Sequence, residues 1–535
     1  MQKIIKEIIS SSLSKLNFEV PTEINIEIPK QKENGDYSSN ICLKIAAKNN
    51  KTPMELAELL KENIKNERIK NIEIKNPGFI NFFVDKKYLL DNINHVIELS
   101  DRYGSNNIGK GKKVNYEYVS ANPTGILHTG NARGGAYGDN MARILKFSGF
   151  DVTREYYIND AGNQIINLGL SIKSRYLTLC GIESQMPEDG YYGKEIEELA
   201  KKLYEKNSTK LIDQEINYFS SYGVKELINR IIEDLKLYGV EYDVLTSEKD
   251  IYDKYSLDNL MNELTKKGYT YEKEGALWFK SSELLDDKDH VLVKNDGNYT
   301  YLVPDIAYHQ DKINRGFEKL VDILGTDHHG YVNRIKSGIM ALGYDPNILD
   351  IKLLQLVRLV QNGEEVKMSK RTGKGIALRE LIEEIGVNAA RYFFASRSLD
   401  TQMEIDLDLA VKKSNDNPVY YVSYAYARIC SIIGDTKLTK MSDYSKIDLA
   451  KTTDILEKIY YFPKIVEDAA TKEIPHLITN YVYDLATSFH YLYNEYRFID
   501  EDENLTMLNL NLLQAIKITM YNALNLIGVT PPEKM

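Results

Sequence analysis

"ANPTGILHTGNARGGAYGDNMARIL", Ala121 to Leu145, decides how this chain is read. Five glycines, one proline and a single histidine stand just ahead of and within an amphipathic segment. Glycine inside a regular element costs roughly 0.5–1 kcal/mol relative to alanine, so its use here implies close approach of backbone to a ligand or to a neighbouring element. Upstream, "VNYEYVS" reads as a strand; downstream, Tyr137, Met141, Ile144 and Leu145 recur at helical spacing. A strand, a glycine-rich loop and a helix starting near Ala132, with Asn131 as the expected N-cap, form an anion site from free N–H groups and the helix dipole. The spacing is neither G-x-G-x-x-G nor G-x-x-x-x-G-K-[ST], so neither a dinucleotide fold nor a P-loop is indicated. His128 is placed to donate a hydrogen bond to a phosphate, although a satisfied loop histidine is the commoner use of an isolated His-x-Gly-Asn.

Working outward, strand patterns at Val114–Val119, Val152–Ile158, His290–Lys294, Tyr299–Val303, Leu320–Leu324 and Leu353–Val360 alternate with helical ones. That alternation predicts an α/β fold with a parallel sheet over residues 107–415, interrupted by a mostly helical insertion at about 183–274. Residues 1–106 form a separate α+β unit, with a capped helix at "TPMELAELLKENI" and a strand-like "KNPGFINFFV". From 416 to 535 the pattern is all helix, with apolar stripes such as Ile478, Val482, Leu485, Phe489 and Leu492 that read as bundle core.

The 535 residues exceed what one core can serve, and their formal net charge is −10. Overall charge therefore gives no nonspecific affinity for nucleic acid, and an RNA partner needs segregated basic surface. Cys42, Cys180 and Cys430 are far apart with no CxxC pair, which argues against a zinc cluster or disulfide framework and fits a reducing cytoplasm. No apolar run is long enough to span a bilayer, and Lys6 and Glu7 interrupt any signal-peptide core.

A second stretch, "EEVKMSKRTGKG" (Glu364–Gly375), gathers Lys367, Lys370, Arg371 and Lys374 with no acid among them. It reads either as a solvated surface loop or as a lysine loop that closes over a triphosphate and neutralises charge developing in phosphoryl chemistry. Together, the His-x-Gly loop and the later Lys-Met-Ser-Lys resemble the signature pair of class I aminoacyl-tRNA synthetases. "YINDAGNQ", "YTYLVPDIAYH", "GTDHHGY", "VKMSKRTG", "SNDNPVYYVSYAYARI" and "LNLIGVTPPEKM" extend the resemblance, in order, to the arginyl-tRNA synthetase family.

The resemblance implies a Rossmann-like catalytic domain, an N-terminal domain that binds the tRNA elbow and a helical anticodon-binding bundle. It implies ligation of L-arginine to tRNA through an arginyl-adenylate, with ATP as substrate, Mg2+ carried by ATP and no protein-bound zinc. By the same resemblance, His128, Asn131, Lys367 and Lys370 are catalytic, and Gly125, His128, Gly130, Asn131, Met368, Ser369 and Lys370 hold ATP. Glu117, Asn122, Tyr301, Asp305 and His328 map to the arginine pocket, where a planar, always-charged guanidinium demands carboxylates. Asn76, Phe79 and Asn81 map to the tRNA-elbow contacts, and Tyr424, Arg428 and Met535 to the anticodon region. A cytoplasmic monomer with no membrane partner is the family expectation.

Two stretches depart from the family pattern: in the first, Asn131 replaces the usual second histidine and Thr129 stands where a branched apolar residue is common; in the second, "SYAYAR" replaces "QYAHAR", with Ser423 and Tyr426 for Gln and His. The competing reading is a non-catalytic tRNA-binding paralogue, for which Asn131 is the only foothold. The length leaves little room for the editing insertion of the isoleucine, leucine and valine enzymes. The cysteine enzyme needs a cysteine-rich zinc site, and the methionine enzyme commonly carries one. Glutamine enzymes of this class typically end in β-barrels, and a general nucleotidyltransferase needs no RNA-reading units.

Overall fold

Five strands form a parallel sheet in the spatial order Leu349–Leu354, Lys319–Gly325, Lys113–Glu117, Asp151–Ile158 and Val244–Ser247. The computed structural model describes all residues except 30, 255–256 and 367–375. Sequence order runs outward from Lys113–Glu117 in one direction, then returns to its other side at Lys319–Gly325. The gap between these two strands is a topological switch point, where crossovers leave on opposite faces and open a crevice at the carboxyl ends. Glu117 is the last residue of its strand, at that crevice.

The helix after the first strand runs Thr129–Phe147 and buries Ala132 through Ala142 almost continuously. Gly138 explains part of its glycine content: a Cβ there would lie 2.3 Å from Cγ of Tyr118, so the helix backbone presses directly on a ring following the first strand. Gly134 is looser, with 3.6 Å to the nearest atom of Leu354. Three of the five glycines, Gly134, Gly135 and Gly138, thus lie against side chains of the core rather than on the loop. Arg391, fully buried, ties this helix to later chain by donating to Asp139 Oδ2 and Asn140 Oδ1, both at 2.6 Å, and to the Ile527 carbonyl at 3.3 Å.

Several elements differ from the expected pattern. Tyr299–Val303 is not a strand: a helix spans Leu302–Asn314, because Pro304 lies in its first turn, where a missing N–H has no intrahelical partner to lose. Leu353–Val360 divides into Leu349–Leu354, in the central sheet, and Val357–Gln361, which pairs with Met403–Asp406. Within 183–274, helices Lys194–Asn207 and Ile216–Leu237 pack with Asn163–Leu179 on a core of Leu168, Ile172, Tyr176 and Phe219. The chain then rejoins the central sheet at Val244–Ser247, so the helical excursion is shorter than expected.

Contacts group the chain into two compact units. One comprises Met1–His95, Leu438–Tyr460 and Arg497–Asn511; the other comprises Val96–Lys437, Tyr461–Tyr496 and Leu512–Met535. In the first, the helix Pro53–Asn63 is capped as expected, and the cap is a capping box between Thr52 and Glu55. "KNPGFINFFV" turns at Gly78, so that Ile69–Lys75 and Phe79–Val84 pair antiparallel instead of forming one strand. Gly78 has φ +142°, and a Cβ there would sit 2.6 Å from Pro53. The region after 416 holds the helices Pro418–Ile433, Leu449–Lys472, His476–Glu495 and Glu503–Leu526.

Alanine normally stabilises a helix interior by about 1 kcal/mol over glycine. G134A is expected to follow that rule and raise the thermal midpoint slightly, whereas G138A is expected to lower it by driving the helix off Tyr118. Comparison of the two unfolding midpoints by circular dichroism checks this; equal gains from both would remove the close-approach explanation.

Candidate functional site

At the switch point a cavity of about 750 Å3 opens, lined by Glu117, Asn122, Tyr301, Asp305 and His328. All five residues expected to face arginine are therefore brought together. The strand end supplies Glu117, and the helix Leu302–Asn314 with its N-cap Tyr301 supplies the opposite wall. Tyr301 is 66 % exposed and offers an open ring face. Asp305 is bonded by the Tyr331 hydroxyl; burial pushes its carboxyl above the usual range, and the Tyr331 bond acts against that rise.

Glu117 is 7 % exposed and already engaged. Its Oε2 accepts from Lys312 Nζ at 2.6 Å, and its Oε1 accepts from the Ser120 hydroxyl at 2.9 Å. Ser120 is held in turn by the Tyr157 N–H at 3.1 Å. Val119 and Ser120 have φ of 71° and 36°, a left-handed turn that a β-branched residue adopts only under constraint. The strain lies where the chain leaves the strand and swings Ser120 back onto Glu117.

Lys312 also donates to Asp322 Oδ1 at 2.9 Å, and His309 Nε2 meets Asp322 Oδ2 at 2.8 Å. Asp322 raises the His309 pKa against the opposing effect of burial, and Lys312 with His309 holds Asp322 well below the ordinary carboxylate range. Glu248 lines the same cavity and is 4 % exposed; burial first, then the nearby Asp305 and Asp160, push its pKa up to about 7. Lys312, His309, Asp322, Glu248 and Tyr331 were not among the expected site residues. The signal for Lys312 is its spacing of seven from Asp305 on one helix face, and that for Asp322 is a lone acid in the apolar "LVDILG".

A second cavity, about 480 Å3, is lined by Gly125, His128 and Asn131 and shares Ser120, Asn122 and His328 with the first. His128, not Asn131, is the N-cap of the helix Thr129–Phe147. Its Nδ1 accepts from the Gly130 N–H at 3.2 Å, while Asn131 Oδ1 accepts from the His128 N–H at 3.0 Å. Asn131 therefore closes a capping box from the third helical position. An accepting Nδ1 belongs to a neutral imidazole whose Nε2 carries the proton and is left to donate. Desolvation lowers the His128 pKa, which favours that neutral form.

Lys367, Met368, Ser369 and Lys370 lie outside the described residues. Ala377, shortly after them, forms an antiparallel bridge with His128, and the Leu378 N–H donates to the Leu127 carbonyl at 2.8 Å. Among the described residues no group of three or more His, Cys, Asp or Glu could hold a metal ion, and no helix is long and apolar enough to cross a membrane.

The expected RNA contacts fall elsewhere. Asn76 is exposed, Phe79 is half-buried, and Asn81 is buried with its Oδ1 accepting from the Ser38 hydroxyl at 2.7 Å. Tyr424 and Arg428 share a cavity of about 460 Å3 with His490, the guanidinium 4.5 Å from the Tyr424 ring centre. Met535 lines a different cavity, beside Tyr420 and Ser423. Tyr420 stacks on Tyr424 with ring centres 5.8 Å apart.

Residues 92–415 match the family model of class I (R) tRNA synthetase catalytic domains, which sets the class of this fold and site. Residues 3–84 match the arginyl-tRNA synthetase N-terminal domain, and 422–535 the DALR anticodon-binding domain. A protein of Halalkalibacterium halodurans named arginine–tRNA ligase 1 is 49% identical over 96% of this chain and 94% of its own length. The arginine–tRNA ligase of Bacillus subtilis is 46% identical over 100% of this chain and 99% of its own. The chain belongs to the arginyl-tRNA synthetase family. Its fold matches the Thermus thermophilus arginyl-tRNA synthetase structure with a TM-score of 0.76 at 21% identity, covering 100% of both chains.

Loss of a capping side chain destabilises by about 1 kcal/mol. N131A is accordingly expected to lower the thermal midpoint, while N131D, which keeps an acceptor for the His128 N–H, holds it. Equal midpoints for N131A and the parent protein would contradict the capping role.

Proposed function

We propose that the chain ligates L-arginine to its cognate tRNA with ATP, through an arginyl-adenylate, releasing pyrophosphate and AMP. The observation that carries this reading is the pair of adjoining cavities: one walled by Glu117 and Asp305, the other by His128 and the start of a helix, with Ser120, Asn122 and His328 lining both. The reaction requires the arginine carboxylate to reach the α-phosphate of ATP, and a shared wall supplies that adjacency.

In this reading Asp305 and Glu117 receive the guanidinium, with Asn122, Tyr301 and His328 orienting the rest of the amino acid. Gly125, Gly130 and the His128 Nε2–H meet the nucleotide at the positive end of the helix. Asn131 serves by capping that helix, which explains how an asparagine replaces the family's second histidine. Lys367 and Lys370 neutralise the phosphates as charge builds, and Met368 and Ser369 belong with Lys370 to the residues that hold ATP. Mg2+ arrives with ATP as part of the substrate. A hydroxyl of the terminal tRNA adenosine then attacks the activated carbonyl and expels AMP.

Residues 1–106, 107–415 and 416–535 divide the work into elbow binding, catalysis and anticodon binding. Asn76 and Phe79 are accessible to a tRNA elbow, while Asn81 is already engaged by Ser38. Tyr424 and Arg428 form a cationic aromatic surface suited to unstacked bases, with Met535 on its flank. The protein works as a cytoplasmic monomer. A non-catalytic tRNA-binding role would give no use to a cavity walled by Glu117 and Asp305.

Pyrophosphate exchange into ATP should occur with arginine and with no other standard amino acid, and total tRNA should enhance it. Absence of exchange with tRNA still bound would favour the non-catalytic reading. Within the assay, D305N should raise the KM for arginine by more than about tenfold, equivalent to 1.4 kcal/mol of lost binding, while leaving the KM for ATP unchanged. An unchanged arginine KM would remove Asp305 from the pocket.

A further inference from the structure

Asp322, Glu117 and Glu155 are direct register partners on three neighbouring parallel strands. In-register residues share one face of a sheet, so three acids stand side by side, each less than a tenth exposed. Like charges opposite one another destabilise a sheet unless a cation intervenes. The helix Leu302–Asn314 crosses that face and delivers it. Lys312, 0 % exposed, places Nζ 2.6 Å from Glu117 and 2.9 Å from Asp322, and 4.3 Å from the Tyr308 ring centre. Glu155 has its own partners: Arg315 at 2.9 Å, Tyr308 at 3.0 Å, Thr246 at 2.6 Å and Asn115 at 2.6 Å. Glu117 therefore has Lys312 as its one bonded cation among the described residues.

We propose that Lys312 is a positioning residue for arginine binding: by bridging Glu117 and Asp322 it fixes the Glu117 carboxylate, as an anion, in the wall of the substrate cavity. The proposal rests on the arginine-ligating reading above. Lys312 does not itself line the cavity, so it acts through Glu117 rather than on the substrate. The groups facing Glu117 are Lys312, His309 and Tyr308 from the helix, Asp322 from one neighbouring strand, Glu155 and Tyr157 from the other, and Tyr242, with Asp305 lining the same cavity. Burial is the largest influence on Glu117 and raises its pKa; the Lys312 charge is the next and opposes it, ahead of the repulsion from Asp322. Removing Lys312 takes away the largest influence opposing burial and the Asp322 repulsion, leaving His309 against them, and shifts Glu117 toward its protonated form.

The test is arginine-dependent pyrophosphate exchange by the full-length protein with total tRNA, measured across pH 6 to 9. K312M is expected to raise the KM for arginine by about tenfold or more near neutral pH, with the KM for ATP unchanged. That KM should fall again as pH rises and Glu117 regains its charge, and K312R, which keeps the charge, should recover most of the loss. A K312M whose arginine KM is unchanged, or is raised equally at every pH together with that for ATP, overturns the proposal. If K312M does not fold by circular dichroism, K312M/D322N removes cation and acid together and leaves one fewer buried charge than K312M alone. It too should bind arginine more weakly at low pH than the parent, since the lost attraction exceeds the lost repulsion; parent-like pH dependence overturns the proposal. E117Q, run alongside, separates the layers. If it raises the arginine KM while K312M does not, only the role of Lys312 fails; if it leaves that KM unchanged, the placement of Glu117 fails and the proposal falls with it.

Discussion

The buried row of Asp322, Glu117 and Glu155 is the constraint on which the catalytic unit depends. Three acids on adjacent strands of a parallel sheet are tolerable only because one helix supplies a lysine at Lys312 and, at its end, an arginine at Arg315. That requirement fixes how the helix Leu302–Asn314 lies against the sheet. The same helix carries Tyr301 and Asp305 at its other end, so neutralising the row also sets the far wall of the substrate cavity. A buried ion network of this kind is poor evidence for stability, because hydrophobic replacements are often equally stable. Its value here is geometric, since it leaves a carboxylate of known orientation beside an open cavity.

The signature helix solves a second problem with few residues. Its first turn must present free N–H groups to an anion, yet the helix start must also be rigid. The His128 ring accepts the Gly130 N–H and Asn131 accepts the His128 N–H across that turn, so the imidazole is held in a form that can donate outward. Further along, Gly138 lets the helix settle on Tyr118, and Asp139 and Asn140 take the buried Arg391. One amphipathic stretch thus provides the anion site, the packing surface and the anchor for later chain.

Much of this was legible in the residues. The glycine-rich loop, the strand before it and the parallel sheet follow from local pattern, and the motif order pointed to the family and to the five cavity residues. What stayed hidden was the charge network, and the reason is specific. "YTYLV" alternates like a strand, and only the position of Pro304 in a first helical turn reverses that reading. Misread as a strand, the segment gives no reason to look from Asp305 to His309 and Lys312. Asp322 is a single acid within an apolar run, Glu155 follows Arg154 in "DVTREYYI", and their partnership with Glu117 exists only through strand register. Likewise Asn131 looked like the cap because asparagine is a good one; that histidine takes the position is a matter of backbone geometry.

The central claim is that this cavity is built for a cationic side chain. Calorimetric titration of the full-length protein with L-arginine and with L-citrulline, its neutral isostere, tests it most directly, because the two differ essentially in the charge that Asp305 and Glu117 would receive. Binding of arginine with little or no binding of citrulline is the predicted result. Equal affinity for the two would show that the buried carboxylates do not read the guanidinium, and the account built on them would fail.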